Sequence, residues 1–304
     1  MSTTERTELD ILEARLKALL PEEYQDSYEE LQPTPMGSAG LKYDADGLVA
    51  WNEIWGSFCD LAMAGGPPHK GALLQPATPA EIEAARARYQ EVASEICRGI
   101  RMVTELAANP SPVAGWVRVN CLNEAMAGWL HRAITMENVA VRSEGKTLDL
   151  PAGPDFRLEK EIKNVITVIA KTNHYWTGHM WRFQRLEIGD LFEVLATESP
   201  LIVPVQDGTS AIRLADAIRV STGLRAADVR YDGWLGLECP NVRSAVWMMR
   251  ALVANNVLSR REGTVLFVPV DPIRDSDGAI VADAVARVHA LAVRKGVIAM
   301  SLEP

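Results

Sequence analysis

Apolar residues recur at helical spacing over Glu91–Leu106 and again over Ser210–Leu224. Each stretch leads through a turn into a short run in which apolar and polar residues alternate. These runs, Trp116-Val-Arg-Val-Asn-Cys121 and Trp234-Leu-Gly-Leu-Glu-Cys239, read as strands. Just after them Asn123 and Asn241 occupy the N-cap position of a second helix, which carries Trp129 or Trp247 and Ala133 or Ala251 on one face. Two further strands, Val139–Arg142 and Thr147–Leu150 with their counterparts, are expected to join across Glu-Gly, where glycine supplies the positive φ of a tight hairpin. A long amphipathic helix closes each pattern, near Leu158–Trp176 and near Ala279–Lys295.

The two patterns also share residues. Shifted by 118 positions, residues 93–151 fall on 211–269 without a gap, and 21 of the 59 aligned pairs are identical, where composition alone gives about four. The expected fold is therefore α+β, a tandem duplication of an α-β-α-β-β-α unit with ferredoxin-like sheets and a pseudo-two-fold relation between copies. The division that follows is a helical leader at 1–92, copy one at 93–180, a linker at 181–210 and copy two at 211–304. Within the linker Pro200-Leu-Ile-Val-Pro-Val205 suggests an extra edge strand. The leader is expected to hold helices near Glu8–Leu20 and Gly47–Met63, a Gly-Gly-Pro-Pro-His-Lys-Gly loop at 65–71, and a helix starting after Pro79.

Composition narrows the function classes. The 304 residues are 48% hydrophobic and 23% charged, which excludes a disordered chain. A net charge of -9 argues against nucleic acid and anionic membranes as partners, since both select clustered Lys and Arg. A polar N-terminus of mixed charge and the lack of an apolar run approaching ~20 residues point to the cytoplasm. Cys59, Cys97, Cys121 and Cys239 form no C-x-x-C pair, so free thiols are expected.

Candidate chemistry comes from comparing the copies. Residues kept in both, such as Trp129/Trp247 and Arg132/Arg250, read as structural; a site is sought where the copies differ. The helix closing copy one carries Lys160, Lys163, Asn164, Thr167, Lys171 and His174 on one arc, opposite an apolar arc of Leu158, Ile162, Val165, Ile166, Ile169 and Trp176. Copy two has Gly278, Val281, Ala282, Val285, His289 and Ala292 at the polar positions. Lys163, Asn164, Lys171 and Trp176 are thus candidate ligand-binding residues for a small anion, with a solvated helix face as the plainer reading. His174 and His179, five apart and some 140° around a helix, converge only if the helix ends at Thr177-Gly178. They are candidate catalytic residues, or ligands of a transition metal, or histidines packed among Tyr175, Trp176 and Trp181. Cys121, just ahead of a helix N-terminus, is a third catalytic candidate, against the alternative of a buried apolar thiol. The 65–71 loop and Asp207-Gly-Thr-Ser210 read as turns, and Trp51, Trp55, Trp176 and Trp181 remain to line a pocket. The expected function is an enzyme or metabolite-handling protein holding a small anionic ligand near the end of this helix. The alternative is a non-catalytic accessory protein that presents the duplicated body to a protein partner.

Overall fold

The computed structural model describes residues 3–25, 40–53, 72–205 and 211–299. The 65–71 loop, the Asp207–Ser210 turn, Trp55, Cys59 and most of the 47–63 pattern lie outside them; Trp51–Glu53 forms one 3-10 turn. The chain is mixed α+β, with nine α-helices and two small antiparallel sheets among the described residues. It divides into a continuous unit, Gln32–Gly189, and a split unit, Met1–Leu31 with Asp190–Pro304.

In the continuous unit the elements run α2 (Pro79–Ala84), α3 (Arg86–Thr104), β1 (Ala108–Pro110), β2 (Trp116–Asn120), α4 (Glu124–Met136), β3 (Arg142–Glu144), β4 (Thr147–Pro151) and α5 (Lys163–His174). The sheet order is β1-β2-β4-β3, antiparallel throughout, so β2 and β3 run the same way with β4 between them. The alternation seen in the sequence sends Val117, Val119, Leu148 and Leu150 to one face, and all four are buried. Helices α3 and α4 pack on the sheet, and α5 packs on α3 and α4.

The split unit holds α1 (Thr3–Ala18), then α7 (Ala211–Thr222), β5 (Trp234–Glu238), α8 (Val242–Val253), β6 (Arg260–Glu262), β7 (Val265–Pro269) and α9 (Ala279–Arg294). The helix α6 (Arg182–Glu198) runs from one unit into the other. Here the sheet order is β5-β7-β6, and α9 packs on α7 and α8. Helix α1 is fixed by Arg15, whose guanidinium donates to both Glu198 carboxylate oxygens at 2.6 and 2.8 Å and to Asn255 Oδ1 at 3.0 Å.

The identical residues have identical tasks. Asn123 Oδ1 accepts from Met126 N–H at 2.8 Å and Asn241 Oδ1 from Ser244 N–H at 2.9 Å, each satisfying an otherwise orphaned donor of the first helical turn. At the other end of these helices Asn138 and Asn256 adopt φ of 58° and 60°. In that left-handed cap Val139 N–H donates to Ile134 O, and Val257 N–H to Leu252 O. Gly115 and Gly233 have φ of 87° and 75°, and a Cβ there would lie 2.5 Å from Ala77 O and 2.9 Å from Val205 O. Those oxygens belong to a correspondence that the ungapped alignment does not reach. Leu74 N–H donates to Asn138 O and Ala77 N–H to Ala152 O, as Ile202 N–H donates to Asn256 O and Val205 N–H to Val270 O. The segment at 200–205 thus contributes a single parallel bridge, Ile202 to Val257, matched by Leu74 to Val139.

On the sheet face away from the helices the units diverge. Asp149 accepts from Arg118 at 2.8 Å and Arg142 at 2.7 Å; although burial pushes its carboxyl up, the two guanidinium groups outweigh this and hold it below the usual range. The matching positions in the split unit are Gly236, Phe267 and Arg260, and the Arg260 guanidinium lies 4.0 Å from the Phe267 ring centre and 4.4 Å from that of Tyr231. Both arginines also lie over the matching tryptophan, Arg142 over Trp116 and Arg260 over Trp234. The units differ in what surrounds them, Asp149 in one and the Phe267 and Tyr231 rings in the other.

Candidate functional site

Helix α5 is bounded by two π-helical turns, Leu158–Ile162 and Tyr175–His179. Every residue from Lys163 to Asn173 is buried. The expected opposition of a core-facing and an outward arc does not describe it: Val165, Ile166 and Ile169 are interior, and so are Lys163, Asn164, Thr167 and Lys171. Lys160, one turn earlier, has an exposed side chain. Helix α9 by contrast keeps Asp283, Arg287 and Arg294 exposed, and its buried positions Val281 and Val285 are those that Lys163 and Thr167 hold in α5. A helix face that is aliphatic in one unit is therefore polar in the other, at the same depth.

Burial imposes partners on these groups. Lys171 Nζ lies 3.1 Å from Glu137 Oε1, with the two side chains 4% and 1% exposed. Glu137 is the residue after α4, placed there by the left-handed cap at Asn138. Thr167 donates its hydroxyl to Lys163 O at 2.6 Å. Among the described residues, Asn164 Nδ2 and Asn173 Oδ1 have no hydrogen-bond partner. On α4, His131 Nδ1 is 2.8 Å from Ser143 Oγ, while its buried Nε2 has no hydrogen-bond partner among the described residues. The sequence reading missed Glu137 and His131. Their signal was available: within the aligned stretches Glu137 stands against Asn255 and His131 against Met249, and at the same offset beyond them Lys171 stands against His289.

The histidines at the end of α5 do converge, with Nε2 atoms 3.0 Å apart. The reason is the π turn, in which Met180 N–H donates to Tyr175 O five residues back, bringing side chains five apart onto one side. Tyr175 and Trp176 anchor the turn, each 1% exposed, and the Trp176 ring centre lies 5.8 Å from that of Trp129. Trp176 is thus a core residue, as is Trp51, whose Nε1 donates to Glu95 at 2.7 Å; Trp181 is exposed. Gly178 sits beside the His174 ring, where a Cβ would be 3.5 Å from Cε1.

Cys121 is buried, and its thiol is pushed up to about 12 by burial; Cys239 is likewise pushed up to about 12, and Cys97 to about 11. These thiols are protonated at neutral pH, because loss of water around the sulfur disfavours the thiolate. In the split unit a cleft of about 770 Å³ is lined by residues including Arg225, Glu238, Cys239, Pro240 and His289. Among the described residues no group of three or more His, Cys, Asp or Glu side chains is arranged to hold a metal ion, and no helix is long and apolar enough to cross a membrane. In comparisons with known proteins, no family model, no curated protein and no solved structure matches the chain.

Proposed function

We propose that the chain is a tandem duplication, copy one at 93–180 and copy two at 211–304 with leader 1–92 and linker 181–210, and that copy one retains a site for a small anionic metabolite. The shared caps, glycine contacts and bridges support the duplication, and the β2-α4-β3-β4 order with β2 beside β4 supports a ferredoxin-like sheet. The site reading rests on one observation: Lys163, Asn164 and Thr167 are buried where α9 has Val281, Ala282 and Val285. Interior polar groups cost stability that aliphatic residues do not, so their retention on one helix calls for a return in binding. Ammonium and amide N–H groups are donors, which selects an acceptor-rich ligand such as a phosphate or carboxylate. His174 and His179 stand at the solvent end of the same helix, roughly 10–16 Å along its axis from these groups. Lys171, paired with Glu137, fixes the helix. A cytoplasmic location accords with this reading.

The test exchanges one helix face for the other. A Lys163→Val, Asn164→Ala, Thr167→Val variant carries the residues of α9. Thermal shifts are read in EDTA against inorganic phosphate, pyrophosphate, citrate and a panel of phosphorylated and carboxylated metabolites. The wild type is expected to be stabilised by at least one probe, and the variant to fold at least as stably and lose that response. A variant that keeps the response, or a wild type that ignores every probe, refutes the reading. A second reading, an accessory protein docking a protein partner, is favoured by the exposure of Trp181, Phe183 and Leu186 at the start of α6.

A further inference from the structure

We infer that His174 and His179 bind one divalent transition-metal ion between their Nε2 atoms, at a solvent-open site that copy two lacks. Two imidazole nitrogens 3.0 Å apart are close enough to share a proton, one ring donating and the other accepting. They are also close to the separation that a single ion imposes: metal–nitrogen bonds of ~2.0–2.1 Å at right-angled to tetrahedral geometry place the two nitrogens roughly 2.9–3.4 Å apart. Replacing the shared proton by a metal thus requires little more than ring rotation.

The rings are held for this by the fold. The π turn sets the five-residue spacing, and Tyr175 and Trp176, next to His174 in the chain, are in the core. The ring centres are 4.8 Å apart with the planes at 77°, so the rings meet at an angle and do not stack. Nitrogen donors of this kind suit Zn²⁺, Ni²⁺ and Cu²⁺. With two protein ligands the remaining coordination positions go to water or to an acidic ligand, so the ion would be exchangeable and able to polarise a bound oxygen. The matching positions in copy two, Ala292 and Val297, supply no ligand atom.

Tag-free full-length chain is titrated with ZnCl2 and CuCl2 in a non-chelating buffer by calorimetry, and the copper complex is examined by electron paramagnetic resonance. One ion per chain is expected, with the splitting of two imidazole nitrogens. His174→Ala and His179→Ala should each weaken binding at least ~10-fold and leave the splitting of a single nitrogen. Both side chains reach the surface, and an unchanged unfolding midpoint in the absence of metal shows that the variants fold. Absence of a stoichiometric ion in the wild type, or undiminished binding in the double variant, overturns the assignment. Because the anion test above is run in EDTA, each reading can fail without the other.

Discussion

Lys171→Met is expected to lower the unfolding free energy by roughly 3–5 kcal/mol, because it leaves the Glu137 carboxylate buried beside an apolar side chain. The pair lies 3.1 Å apart in an interior that excludes water from both groups, so neither charge has a solvent route to compensation. A Lys171→Met, Glu137→Leu double variant is expected to regain most of that loss, since removing both charges also removes both desolvation costs. Urea unfolding of the two single variants and the double one forms a cycle whose coupling measures the pair. A loss below about 1 kcal/mol in Lys171→Met would mean that the carboxylate is solvated and that the α4–α5 interface is not as closed as described.

His131→Met is expected to change how the protein responds to acid. Burial, assisted by the neighbouring Arg132, draws the folded-state pKa of His131 down to about 3 from an ordinary 6.5. As pH falls below 6.5 the unfolded chain takes up a proton that the folded chain refuses, so stability is lost progressively until pH reaches the folded value near 3. At pH 4 this one residue costs about 3 kcal/mol relative to pH 7. Methionine, present at the matching position as Met249, does not titrate. Wild type and variant should therefore unfold at similar urea concentrations at pH 7 and diverge steadily towards pH 4, the variant being the more stable. Parallel pH profiles would show that His131 takes its proton in the folded state.

The fold was legible in the sequence wherever local rules and tertiary packing agree. The N-caps at Asn123 and Asn241, the Glu-Gly hairpins and the alternation of Val117 and Val119 each follow from a short-range requirement that the surroundings do not override. The parallel bridges at Leu74 and Ile202 were less legible, because one hydrogen-bonded contact leaves no periodicity. For the site, the sequence located the helix and the residues but not their environment. An arc of lysine, asparagine and threonine reads as solvent-facing by hydropathy alone, and only the depth of α5 makes it interior. The convergence of His174 and His179 depended on a π turn, which has no propensity signature in Tyr-Trp-Thr-Gly-His. The Cys121 thiol turned on which of two opposing effects prevails, helix-end attraction for a thiolate or burial against it, and burial prevails.

The claim that copy one keeps a site lacking in copy two can be tested on the histidines themselves. Of the five in the chain, His174 and His179 lie at the end of α5, His131 in the core of the same unit, and His289 in the cleft of the split unit. Imidazole resonances of histidine-labelled protein, assigned by single His→Gln variants, are followed as the most stabilising of the anionic probes is added in EDTA. At least one signal of the continuous unit, from His131, His174 or His179, is expected to move with the saturation of binding while that of His289 stays in place. Movement of His289 with His131, His174 and His179 unchanged would put the site in the Cys239 cleft and contradict the account.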